Sequence, residues 1–273
     1  MGKILSFANQ KGGVGKTTTC VNVAAYLAAM GKKVLLLDMD PQGNATSGLG
    51  VDKSSSVKTI YNVIDGDAYI EEVILHSSVK NLDVIPATVD LAGAEIDLVQ
   101  MPNREHIVKN RLNRVRDNYD FIVIDCPPSL GLLTVNALTA SDSIVIPIQC
   151  EFYALEGLTQ LMNTVKLVKK HLNPNLDVEG VVLTMKDSRS NLINQVSNEI
   201  TTFFGKKVFT TAIPRNVRLA EAPSHGVPIG AYDSSSKGAK AYLALAEEIL
   251  RRNNMKFDAI STKIKLDEGE NND

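Results

Sequence analysis

The stretch KILSFANQKGGVGKTTT, residues 3–19, constrains the fold more than any other part of the chain. It opens on a near-continuous apolar run over 3–8, passes through glycines at 12, 13 and 15, and begins a helical pattern at Lys16. A strand that turns through glycines into a helix N-terminus is the arrangement in which backbone N–H groups converge on a phosphate. Gly12, Gly13 and Gly15 can take positive φ and let the backbone approach phosphate oxygens closely. Lys16 is placed for the β- and γ-phosphates of a nucleotide, and the Thr17 hydroxyl for Mg²⁺. Val14 and Thr18 complete the binding loop. The spelling departs from G-x-x-x-x-G-K-[ST]: five residues before Gly15 stands Gln10 rather than glycine, and a second lysine, Lys11, precedes Gly12. On residues alone, Lys11 could be one more phosphate contact within its own chain.

Short apolar runs recur at 3–8, 33–38, 82–87, 121–125, 143–148, 179–184 and 208–214. They are rich in Val, Ile and Leu without alternation, as strands buried on both faces are. Helical patterns lie between them at 16–31, 154–172 and 191–205, and a last one covers 238–253; Gly31 is placed to cap the first. Strand and helix in alternation predict an α/β fold, doubly wound around a mostly parallel sheet. Residues 50–68 form a softer connection with room for short helices, and no internal repeat is visible. Beyond residue 253 periodicity is lost and the chain closes on a polar, acidic stretch, which predicts a flexible tail over 254–273.

A nucleotide–magnesium site needs carboxylates at strand ends. The buried run FIVID ends on Asp125, in the position of a Walker B acid. The run VLLLD ends on Asp38, and Asp40 follows two residues later, on the same side of an extended chain. Either acid could face the phosphates. Asp38 has equal claim to a structural role, and Asp125 could instead cap a turn.

Four segments in order, KGGVGKTT, LLLDMDPQGN, FIVIDCPPS and IPRNVRLAEAPSHGVPI, resemble the ParA/Soj family of deviant Walker A partitioning ATPases over about residues 1–252. The resemblance implies a P-loop NTPase-like fold with one ATPase domain over 1–253 and a function in chromosome or plasmid partition. ATP and Mg²⁺ would be the cofactors. In that family the lysine matching Lys11 reaches across a nucleotide-sandwich homodimer to the partner's ATP, and the acid matching Asp40 positions the hydrolytic water. Lys11, Lys16 and Asp40 would then carry catalysis, with Thr17, Asp125 and, through water, Asp38 around the metal. Met185, Pro214 and Asn216 would lie near the adenine. Arg189 and Arg218 match arginines that bind double-stranded DNA without sequence preference. A ParB/Spo0J-like DNA-bound partner would stimulate hydrolysis, and the implied location is cytoplasmic and nucleoid-associated.

Composition narrows the alternatives. A formal net charge of −2 argues against coating nucleic acid through bulk charge, so DNA contact needs a local patch. The phosphate loop starts near residue 9, which leaves no room in this sequence for a preceding helix-turn-helix. No apolar run approaches a membrane span and no signal peptide is seen; MGKILS matches a myristoylation pattern, but Ile4, Leu5 and Phe7 read as a buried strand. The alternative function is that of a MinD-like, membrane-associated ATPase of the cell-division site. Such a protein ends in a basic amphipathic helix, whereas this tail has too few large apolar residues on one face, predicting no stable membrane association. An iron–sulfur reductase would need a partner for Cys126, and the three cysteines lack metal spacing. They fit a reduced compartment instead. An ATP-dependent metabolic ligase would want a substrate domain, and none is apparent.

Overall fold

A computed structural model of the chain describes residues 1–54, 57–151, 154–187 and 189–267. Along the chain run β1 (Lys3–Phe7), α1 (Lys16–Ala29), β2 (Val34–Asp38), α2 (Asn44–Gly48), α3 (Ile60–Asp65), β3 (Leu75–His76) and β4 (Leu82–Ile85). There follow α4 (Leu91–Gln100), α5 (Ile107–Leu112), β5 (Phe121–Asp125), α6 (Leu132–Ala140), β6 (Ser143–Gln149), α7 (Ala154–His171) and β7 (Asp177–Thr184). The last helices are α8 (Asn191–Phe204), the short α9 (Arg218–Glu221) and α10 (Ile229–Tyr232), and α11 (Lys237–Arg252).

The strands form one sheet in the order β3-β4-β2-β5-β1-β6-β7. Every neighbouring pair is parallel except β3–β4. Side chains alternate between the two faces. Ile4, Leu37, Ile124 and Ile146 join one apolar core, while Leu5, Phe7, Leu36 and Val123 join the other. Helices cover both faces, which is why the strands lack polar alternation. Helix α1 is buried along most of its length, from Cys20 to Ala28. It closes as expected: Gly31 takes φ +81°, and the Lys32 N–H reaches back to the Leu27 carbonyl at 3.1 Å.

Two expectations change. The run 208–214 does not form a ladder strand; isolated parallel bridges join Val208 to Val181 and Pro214 to Lys186. The cause is local competition. The Thr210 and Thr211 N–H groups donate to the Glu248 carboxylate at 2.9 and 3.0 Å, and Pro214 has no N–H to give. The seventh strand is instead the two-residue β3 at the opposite edge, too short to stand out as a pattern. Second, residues 254–267 are docked where a flexible tail was expected. The Tyr26 hydroxyl donates to the Thr262 carbonyl at 2.8 Å, Ile264 is buried with its N–H on the Gly230 carbonyl, and Leu266 bridges to Val79. A side chain at Gly230 would collide with Ile264 and the Tyr26 hydroxyl, so the glycine is the seat of this docking. Residues 268–273 lie outside the described residues.

Among the described residues no helix is long and apolar enough to cross a membrane. Gly2 is buried, and Arg116 Nε donates to its carbonyl at 2.7 Å.

Candidate functional site

Parallel register brings the candidate groups to one edge of the sheet. Phe7, the last residue of β1, pairs with Asp125, and Asp125 pairs with Asp38 across β5–β2. The glycine loop therefore leaves β1 beside two carboxylates that lie 87 positions apart in sequence. Gly13 and Gly15 take φ +74° and +82°, and no side chain caps the first turn of α1. Its N–H groups, with the positive end of the helix dipole, face the loop. Gly12 has no need of positive φ, and open space surrounds the place a side chain would take. The loop is pinned from both sides. The Thr184 hydroxyl at the end of β7 donates to the Val14 carbonyl at 2.8 Å. On the other side the buried Asn9 amide donates to the Pro147 carbonyl at 2.7 Å and accepts from the Lys11 N–H.

Lys16 is only 6% exposed, and its ammonium donates to the Lys11 carbonyl at 3.1 Å. Burial lowers its pKa while Asp125 opposes the shift. Both Asp125 oxygens are buried without a well-formed hydrogen bond, and the Thr17 side chain is the one donor near enough to favour the ionised form. Desolvation pushes this carboxyl far above the usual range, and Asp38 adds repulsion. A buried carboxylate left unpaired is costly unless a cation completes its surroundings. Among the described residues no set of three His, Cys, Asp or Glu converges on a metal position. Mg²⁺ is commonly held by one or two carboxylates together with phosphates and water.

Asp38 and Asp40 do different work. Asp38 is fully buried and accepts from the Thr46 N–H at 2.9 Å, the Thr46 hydroxyl at 2.8 Å and the Asp40 N–H at 3.1 Å. Burial pushes it up to about 6 even against those donors. Its oxygens are spent on holding α2 and the turn before it. Asp40 lies past the end of β2, in that turn rather than in an extended strand, and one oxygen accepts from the Gln42 N–H at 3.0 Å. Its charge acts on Lys16, Asp125 and Asp38 alike.

Lys11 turns to the rim, where its ammonium pairs with Glu151. Thr17 and Thr18 line a cavity of about 450 Å³ with Asn22, Asn44 and Ser47. A neighbouring cavity of about 350 Å³ gathers Gly15, Thr18, Met185, Pro214 and Asn216. The Lys186 N–H donates to the Ile213 carbonyl at 2.9 Å, fastening the two distant segments of that cavity together. Met185 sits at φ +51°, a left-handed conformation rare for such a side chain.

Arg189 and Arg218 are each held by carboxylates of their own chain. Arg189 is 88% exposed and grips Asp187 through Nε and Nη2 at 2.9 and 2.8 Å. Arg218 pairs with Glu221 at 2.8 Å and Asp233 at 3.6 Å. Sequence reasoning passed over Asn9, Thr46, Glu151 and Thr184, each of which meets at least one partner far along the chain: Pro147, Ala87, Lys11 and Val14 respectively. The one available signal was that Asn9, Glu151 and Thr184 lie at or shortly after the ends of predicted strands; Thr46 carried none.

Comparison with known proteins agrees with this geometry. The AAA domain family model matches residues 2–178. The chain is 61% identical over 249 residues to the sporulation initiation inhibitor protein Soj of Bacillus subtilis, spanning 91% of this chain and 98% of that protein. It is 53% identical over 256 residues to the chromosome partitioning protein ParA of Myxococcus xanthus, spanning 94% and 90% respectively. A solved structure of cobyrinic acid a,c-diamide synthase from Mycobacterium smegmatis, with bound ATP analogue and magnesium, matches with a TM-score of 0.82 at 34% identity, covering 95% of this chain and all of that one. Identity is higher to the two partitioning proteins than to the synthase. With a deviant phosphate loop on this sheet and relatives of that similarity, the chain belongs to the ParA/Soj family of chromosome-partitioning ATPases.

Proposed function

We propose that this chain is an ATP-driven partitioning switch: it binds ATP with Mg²⁺, pairs with a second copy through the nucleotide, and in that state holds DNA. The observation that carries the reading is the buried Asp125 carboxylate, whose oxygens lack a well-formed hydrogen bond and which register sets beside the glycine loop, Thr17 and Lys16. Thr17 and Asp125 would hold Mg²⁺, which supplies charge neutralisation at the phosphates. Asp38 belongs to the support of the turn more than to the metal shell. Lys16 would move from the Lys11 carbonyl to the β- and γ-phosphates, and the loop amides would take the remaining oxygens. Asp40 would orient a water for in-line attack; positioning and charge compensation are what phosphoryl transfer needs most. The base would lie in the cavity of Met185, Pro214 and Asn216, whose volume falls within the range of small-molecule sites.

A triphosphate carries about four negative charges, and Lys16, Mg²⁺ and the helix dipole leave part of that uncompensated. Lys11, already at the rim, is the cation available to a second subunit's nucleotide. Hydrolysis then dissolves the pair. DNA would be held through Arg189 and Arg218, twice per dimer, by charge and without base reading. A DNA-bound ParB-like protein fits as the stimulating partner, and the cytoplasm and nucleoid as the place of action. Among the described residues of the tail, Met255, Phe257, Ile260, Ile264 and Leu266 are packed in or against the apolar core, which favours this reading over a MinD-like, membrane-associated one.

The test is sedimentation with ATP, ADP or no nucleotide, using Asp40→Ala to prevent turnover. A dimer should accumulate with ATP alone and be lost in Lys11→Ala. Equal dimer with ADP, or a dimer indifferent to Lys11→Ala, would overturn the sandwich. DNA binding by the ATP-held protein should be equal on two unrelated duplexes.

A further inference from the structure

The loop is bound to its own chain at the two lysines it uses. Lys16 donates to the Lys11 carbonyl, where it holds backbone instead of phosphate. The Lys11 ammonium is closed onto Glu151, with the two side chains 37% and 46% exposed. Glu151 follows β6 by two residues, and β6 is also where Pro147 receives the Asn9 amide. One strand end thus fixes both the backbone and the side chain of the deviant lysine. A cation paired with a carboxylate in its own chain is not free to neutralise a phosphate elsewhere. Half-exposed, the pair is weak enough to open when a stronger anion arrives.

We propose that Glu151 is a positioning residue that governs dimerisation by holding Lys11 in its own subunit until ATP in the facing subunit competes for it. The idea rests on the sandwich reading above, in which Lys11 acts across the interface. The triphosphate, with its greater charge, draws Lys11 away, and Glu151 is left solvated at the rim. ADP, lacking the γ-phosphate, competes less well, so the restraint keeps the ADP-bound chain monomeric at concentrations where the ATP-bound chain pairs. A residue that merely supported the fold would, when replaced, weaken dimerisation or leave it alone. A residue that restrains Lys11 must, when neutralised, strengthen it.

Each half-exposed ion pair shifts an equilibrium by roughly 1.5- to 5-fold, and a dimer opens two, so Glu151→Gln should tighten ATP-dependent dimerisation by about 2- to 25-fold. The measurement is sedimentation across a protein-concentration series, with ATP or ADP, in the Asp40→Ala background. Glu151→Asp, which keeps the charge, should return the constant towards that of the parent. ATP affinity measured below the dimerisation range should stay unchanged, which separates release of Lys11 from repair of the phosphate loop. Glu151→Gln that dimerises no more readily than its parent overturns the proposal. So does a gain that persists in Lys11→Ala/Glu151→Gln compared with Lys11→Ala, because Lys11 would then be uninvolved. If Lys11→Ala alone leaves the dimer intact, it is the sandwich reading that falls.

Discussion

The two halves of the site are built by different means. On the phosphate side, Asp38, Asp125 and the start of the loop sit at the ends of three adjacent parallel strands, and their relative positions follow from sheet register. Their polar atoms are buried, and Asp38 has three donors. On the base and arginine side, the Lys186–Pro214 bridge joins the two segments, and the arginines are exposed and held by surface carboxylates, Asp187 for Arg189 and Glu221 and Asp233 for Arg218. Burial makes the first region costly to rearrange; exposure makes the second cheap to rearrange. On the function proposed above, chemistry that needs fixed geometry would occupy the first, and contacts that exchange with a polyanion the second.

The comparison breaks most visibly at Lys16 and Asp40. Lys16→Ala removes charge-assisted contacts of about 1.5–3 kcal/mol each, so calorimetry should find ATP affinity lower by roughly 100-fold or more. Asp40→Ala should bind ATP within about threefold of the parent, yet lose turnover by roughly 100-fold or more. If Asp40→Ala lost affinity as fully as Lys16→Ala, the division between holding phosphate and orienting water would be wrong.

Thr46→Ala probes how far the phosphate side depends on its buried network. It takes a donor from Asp38 and leaves the Ala87 N–H, now 3.0 Å from the Thr46 hydroxyl, without a partner. The expected loss is about 2–4 kcal/mol by urea denaturation of the nucleotide-free protein. Its pH dependence has a definite sign. Asp38 is raised in the folded chain, so between about 4 and about 6 the folded state keeps a proton that the unfolded state sheds, and stability falls as pH rises through that window. Thr46→Ala raises Asp38 further, so its deficit should be larger at pH 7.5 than at pH 5. An equal deficit at both would mean that Asp38 is not the group affected.

On the arginine side, effects should be smaller and tuned by salt. If a dimer neutralises about four phosphates, log K should fall against log[salt] with a slope near −3.6; Arg189→Ala removes two contacts and should flatten it by about 1.8. Affinity should drop alike on every duplex, whereas loss on one sequence alone would indicate base reading. The smallest effect sharpens the contrast. Asp187→Asn frees Arg189 from its bidentate partner and should tighten DNA binding by a few-fold, while the ATPase rate without DNA stays constant. Weaker binding in Asp187→Asn would show that Asp187 orients Arg189 for DNA instead of competing for it.

The amino-acid order alone settled what is local or periodic: the strand–loop–helix of 3–19, the acids closing buried runs, the glycine at 31 and the α/β alternation. Each of these depends on backbone geometry within a few residues, and that geometry is written in residue type. Tertiary structure decided which groups those elements meet. Nothing near residues 208–214 announces that Glu248 will take their amides, and nothing near Gly230 announces Ile264. The separate duties of Asp38 and Asp40 arise because β2 ends between them and Thr46 folds back onto the first. Lys11 and Glu151, 140 positions apart, meet only because β6 lies beside β1. A buried polar atom takes whatever partner the register delivers, and register is a property of the assembled sheet.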